Sequence, residues 1–131
     1  MRALVLKEGE VPLVYSPNEV HIIRGGRREA DESYEETVRR EVLEESGWHI
    51  EDLRLLGFMH FHHLTPKPPD YPYPYPYPDF TQLVYSARAT VHDPTALTHD
   101  YELGAEFVDL NDARLRDLPP NQRQYLAVAA K

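Results

Sequence analysis

Three glutamates are spaced for metal-assisted chemistry: Glu41, Glu44 and Glu45. On a helix they stand at i, i+3 and i+4, so their carboxylates share one face. Like charges so placed destabilise an isolated helix by about 0.2–0.5 kcal/mol per pair. A divalent cation offsets that repulsion. Hard cations such as Mg²⁺ take oxygen ligands and are often held by a few carboxylates together with substrate phosphates. Without a metal, the same residues read as a solvated acidic face balanced by Arg39 and Arg40.

The surrounding residues predict the helix that must carry them, Tyr34 to Ser46. Ser33 can cap its start, with Glu36 three residues on completing a capping box. Gly47 suits the left-handed position that ends it. Tyr34, Val38 and Val42 form an apolar stripe that would hold it on a core.

Gly26 to Trp48 reads GRREADESYEETVRREVLEESGW. It matches the Nudix box, G-x5-E-x7-R-E-U-x-E-E-x-G-U with U a bulky aliphatic residue, at all seven fixed positions. With ordinary residue usage, a chance match is on the order of 10⁻⁸ per start position. The chain therefore resembles the Nudix hydrolases. Three positions depart from the usual pattern: Trp48 replaces the aliphatic residue, Asp31 stands where a glycine is usual, and Arg24 stands where a proline often precedes the glycines. Asp tolerates unusual backbone angles better than most residues.

The resemblance implies an α/β/α sandwich with a mixed central sheet and flanking helices. It implies metal-dependent hydrolysis of a nucleoside diphosphate linked to another moiety, with Mg²⁺ as the cofactor and Mn²⁺ as the alternative. Carried onto matching positions, Glu41, Glu44 and Glu45 are metal ligands, and Glu32 is an outer or additional one. Glu41 is also the candidate general base. Arg40 would orient a neighbouring glutamate by a bidentate bond. A further acid from a late loop is expected, with Glu102 as first candidate and Glu106 as second. Tyr73, Tyr75, Trp48 and Arg24 are candidate substrate contacts. A catalytically silent nucleotide-binding module of the same fold is the alternative function; such modules usually lose one or more box glutamates, and all four are present.

Composition bounds the reading. The length, 131 residues, fits one domain spanning 1–131. A net charge of −8 argues against a general nucleic-acid or membrane-surface binder. The expected partner is a small nucleotide, and the expected state a monomer or homodimer. Without cysteine there are no disulfides and no thiol chemistry, and a reducing compartment is permitted. MRALVLKEG has too short an apolar run for a signal peptide, and no stretch is long enough to span a bilayer. The expected location is the cytoplasm.

Read in order, Arg2–Leu6, Val11–Tyr15 and Val20–Ile23 have strand composition, with Pro12 suggesting an edge strand or one paired on one side only. Leu53–Leu64 is expected to be a central strand, with a possible bulge at Gly57. Seven of the twelve prolines fall between Pro66 and Pro78. Alternating Tyr-Pro there favours an extended loop, read as a rigid surface connection, a base-stacking wall or a partner-binding ligand. Phe80–Val91 returns to strand composition, and Ala105–Leu110 is the last strand. Asn111 is the expected cap of a short helical piece. A terminal helix after Pro119-Pro120 would bury Tyr125, Leu126 and Val128. His60 and His62 share a strand face, as polar residues by a cleft or as substrate contacts.

Overall fold

The computed structural model describes residues 1–16, 19–21, 23–25, 28–70, 77–96 and 104–130. Strand β1 (Arg2–Leu6) shows how the layers form. Its centre, Ala3-Leu4-Val5, is buried on both faces. That is how a strand reads when both faces of its sheet are covered. Ala3 and Val5 join one apolar cluster with Val38, Val42, Ile50, Tyr85, Ala87 and Ala89. Leu4 joins the other, with Val11, Leu13, Val84, Val108, Leu126 and Ala129.

The remaining elements are β2 (Glu10–Ser16), β3 (Glu19–His21), β4 (Ile23–Gly25), α1 (Tyr34–Ser46), β5 (Trp48–His62), β6 (Asp79–His92), β7 (Gly104–Asp109) and α2 (Pro120–Ala129). One mixed sheet has the order β4-β1-β6-β5, with β1 parallel to β6 and the other pairs antiparallel. A second, antiparallel sheet has the order β3-β2-β7. The two clusters place α1 on one face of the four-stranded sheet, and the second sheet with α2 on the other. The expected α/β architecture with a mixed sheet and flanking helices is thus present. Among the described residues no helix is long and apolar enough to cross a membrane.

Several expectations are corrected. The segment read as a central strand belongs to β5, which begins earlier, at Trp48, and lies at a sheet edge. Three register irregularities along β5, one between Leu55 and Gly57, break its period-two alternation and hide its first five residues. The segment read as one strand at 20–23 contributes to two, β3 and β4, in different sheets. β2 is the middle strand of its sheet, yet Pro12 lies where β2 pairs only with β7, opposite Phe107, because β3 pairs only with Val14 to Ser16. That one-sided pairing is what proline's missing N–H allows.

Asp112, not Asn111, caps the short 3-10 turn Ala113–Asp117, its side chain accepting from the Arg114 N–H. On α2, Leu126 and Ala129 are buried and Tyr125 is half-buried against the core, but Val128 is exposed. The 3.6-residue period puts Ala129, three residues after Leu126, on the inner face.

Candidate functional site

Helix α1 is set by its ends. Ser33 accepts from the Glu36 N–H while Glu36 accepts from the Ser33 N–H, a complete capping box. At the other end Gly47 adopts φ 77° and its N–H donates to the Leu43 carbonyl. A Cβ there would lie 3.0 Å from the Asp93 carbonyl oxygen. The left-handed conformation alone costs an L-residue about 1–2 kcal/mol. Gly47→Ala is therefore expected to lower stability by at least about that much in urea unfolding, since the backbone at Asp93 must also shift. A variant as stable as the parent would mean that α1 does not need this stop.

The helix face on the sheet is Thr37, Val38 and Val42, all buried. Tyr34, expected in that stripe, is half exposed, and Thr37 takes the inner position instead. Its hydroxyl donates to Glu32 Oε1 at 3.0 Å and to the Ser33 carbonyl at 3.1 Å. A buried hydroxyl thus ties the loop before the helix to its first turn. Asp31, in the position usually held by glycine, has φ 67°. Gly26 lies outside the described residues.

Arg40 gathers the acids. Its Nε and Nη2 donate to Glu32 Oε2 and Oε1 at 2.7 and 3.1 Å, a bidentate pair. Its Nη1 donates to Glu41 Oε1 at 2.9 Å and Glu44 Oε2 at 3.3 Å, with Glu29 Oε1 3.5 Å away. The Arg40 guanidinium, helped by the Glu29 N–H, holds the Glu32 carboxyl down to about 2. Glu32 in turn raises Arg40 further above its usual range. Arg39 does not share this task; it donates to the Ile50 carbonyl and fastens α1 to β5.

Glu41, Glu44 and Glu45 are all partly exposed on the outer side of α1. One oxygen each of Glu41 and Glu44 is engaged by Arg40, and the other makes no hydrogen bond among the described residues. Among the described residues no group of three acidic or histidine side chains is already closed around a metal position. The donor set nevertheless suits a hard cation that takes a few carboxylate oxygens and completes its shell with water and phosphate.

The other candidates are less central. Trp48 lies past the carboxy end of α1, 4.8 Å from the His92 ring and edge-on to Phe107 at 5.5 Å, with Lys7 Nζ 5.3 Å from its ring centre. That packing joins the start of β5 to the end of β6 and to β7, across the two sheets. Arg24 is in β4, and its side chain lies outside the described residues. Tyr73, Tyr75 and Glu102 lie outside them too. Glu106 is on β7 and pairs with Arg114 at 2.6 Å, on the strand face opposite Phe107.

Two groups went unread in the sequence. Thr37 passes as an ordinary surface threonine; its signal is its place beside Val38, five residues after Glu32. Asp79 takes both His60 Nε2 at 2.9 Å and His62 Nδ1 at 2.8 Å on one oxygen. Only the antiparallel pairing of β5 with β6, which sets His62 opposite Asp79, brings them together.

Comparison with known proteins agrees with the fold. Residues 2–129 match the family model for the NUDIX domain. A NUDIX hydrolase from Nitrosomonas europaea superposes with a TM-score of 0.68 at 17% identity, covering 98% of this chain and 86% of that one. A MutT protein from Bacillus halodurans gives 0.64 at 21% identity, covering 96% and 77%. An ADP-ribose pyrophosphatase from Streptococcus suis gives 0.63 at 19% identity, covering 99% and 89%. A search of curated proteins finds no match.

Proposed function

The chain belongs to the Nudix family of pyrophosphohydrolases, and we propose that it hydrolyses the diphosphate linkage of a nucleoside diphosphate derivative with Mg²⁺ bound at Glu41, Glu44 and Glu45. The observation that carries this reading is the Arg40 cluster, which gathers Glu32, Glu41 and Glu44 around one guanidinium at the outer face of α1. A divalent ion held there would neutralise the diphosphate, orient its oxygens and lower the pKa of the attacking water.

The chain's own residues do the rest. Arg40 fixes the rotamers of Glu41 and Glu44, and its bidentate hold on Glu32 keeps that carboxylate ionised and in place. Glu41 is the proposed base, accepting the proton of the attacking water. Glu102 is the proposed further acid from the late loop, and Tyr73, Tyr75 and Arg24 are proposed substrate contacts. The proposed unit is a single Nudix domain acting on a small nucleotide in the cytoplasm, a compartment that a chain without cysteine permits.

Formation of the nucleoside monophosphate or other phosphorylated products from dGTP, ADP-ribose, UDP-glucose and a dinucleoside polyphosphate, followed by chromatography, is the test, with Mg²⁺, with Mn²⁺ and with EDTA. Turnover of at least one substrate that EDTA abolishes is expected. A chain that binds these nucleotides and hydrolyses none of them is a silent module.

A further inference from the structure

On the sheet face that α1 covers, the β5–β6 hairpin runs on past the helix. Leu83 packs in the cluster beneath α1 with Val38 and Tyr85. Tyr85 is buried in that cluster against Val38 and Val42 of α1. Cross-strand partners share a face. Phe58 pairs with Leu83, His60 with Thr81 and His62 with Asp79. Phe58, His60 and His62 therefore extend the α1 face as a strip about 14 Å long from Leu83 to Asp79, at about 3.4 Å per residue. Glu32, which Arg40 holds, precedes the helix and so stands at the helix end nearer this strip.

The strip has a defined chemistry. Phe58 is 62% exposed, a large flat apolar surface beside polar neighbours. His62 and then His60 hold the Asp79 carboxyl below the usual carboxylate range. An ionised carboxylate only accepts, so the ring nitrogen facing it in each histidine must carry the proton. In the neutral imidazoles the outward atoms, His60 Nδ1 and His62 Nε2, are then acceptors. Asp79 Oδ2, which has no hydrogen bond among the described residues, is a third. Three outward acceptors beside an aromatic face suit a ligand that is flat or apolar on one side and rich in donors on its edge.

We propose that Phe58, His60, His62 and Asp79 form the subsite for the moiety carried beyond the diphosphate, and that it selects one presenting N–H or O–H donors, a guanine-type base edge or a sugar. This rests on the pyrophosphohydrolase reading and adds the specificity element to it. Neither histidine nor Asp79 touches the Arg40 cluster, so their loss acts on binding rather than on chemistry.

The test is the kinetics of Asp79→Asn, which keeps shape but turns an outward acceptor into a donor, and of His60→Ala combined with His62→Ala. All three positions are about half exposed, so both variants are expected to fold. Losing a hydrogen bond to a charged group weakens binding by about one to two orders of magnitude. KM is thus expected to rise about 10–100-fold, with kcat within about twofold. A rise for dGTP but not for dTTP identifies a base edge. A rise for UDP-glucose but not for UDP identifies a sugar. KM unchanged for all four compounds overturns the proposal and leaves the hydrolase reading intact. Should the wild-type chain turn over none of them, the histidine ring signals are followed by NMR during titration with dGTP and UDP-glucose in EDTA. Shifts of His60 and His62 that Asp79→Asn abolishes support the subsite, and motionless signals overturn it.

Discussion

Glu45→Gln is expected to fold like the parent chain and to lose at least about 100-fold in kcat, close to 2.7 kcal/mol at 1.36 kcal/mol per tenfold. The substitution keeps volume and helix propensity nearly unchanged and removes one charge. The inner face of α1 (Thr37, Val38 and Val42) is untouched, as are the Ser33 cap and the Gly47 stop. In EDTA the variant is expected to stay close to the parent in stability, because the packed face, cap and stop of α1 are unchanged and one like-charge repulsion among i, i+3 and i+4 is relieved. Catalysis responds oppositely, since a ligand to the proposed ion stabilises charge that develops in the transition state. Three measurements together decide: urea unfolding in EDTA, Mg²⁺ affinity by calorimetry, and kcat at saturating Mg²⁺. Unchanged stability with weaker Mg²⁺ binding and lower kcat supports the site. Wild-type affinity and wild-type turnover would make Glu41, Glu44 and Glu45 a solvated helix face.

The site was legible where its causes are local. The span of α1, its capping box and its glycine stop are all written within 15 residues, and the helix runs as those residues predict. The positive φ of Asp31 is local too. What failed depended on distant partners. Edge or centre for β5 is decided by whether another strand lies beside it, and nothing within Trp48–His62 states that. Bulges remove the alternation that would have marked its first five residues. Thr37 was passed over because burial of a hydroxyl depends on a partner, here Glu32 five residues back. The His60–Asp79–His62 cluster joins residues on either side of a proline-rich stretch of sequence, and only strand pairing closes it. Local capping chemistry thus fixes where the carboxylates stand, while tertiary pairing fixes what surrounds them.

Replacing Arg40 tests whether the carboxylates must be held as well as present. Arg40→Gln removes the guanidinium that pairs with Glu32 and reaches Glu41 and Glu44. Losing a group that orients ligands typically costs 10–100-fold in metal affinity or activity, and a fall of that size in kcat is expected. Arg40→Lys keeps the charge but not the fork, so it should recover little, because one ammonium cannot reproduce two parallel bonds to Glu32. Stability carries a second signature. Glu32 is held down to about 2 in the folded chain, first by Arg40, against about 4.3 when unfolded. A depressed carboxyl binds its proton more readily in the unfolded state, so its contribution is fully present above about pH 5. It fades as pH falls toward 2. In Arg40→Gln the largest cause of that depression is gone. The stability gap between parent and variant, measured by urea unfolding in EDTA, should therefore be widest near pH 6 and shrink steadily on acidification to pH 3. A gap that stayed constant across that range would mean that Arg40 stabilises the fold through packing alone, and kcat near the wild-type value would mean that the carboxylates reach their working positions without it.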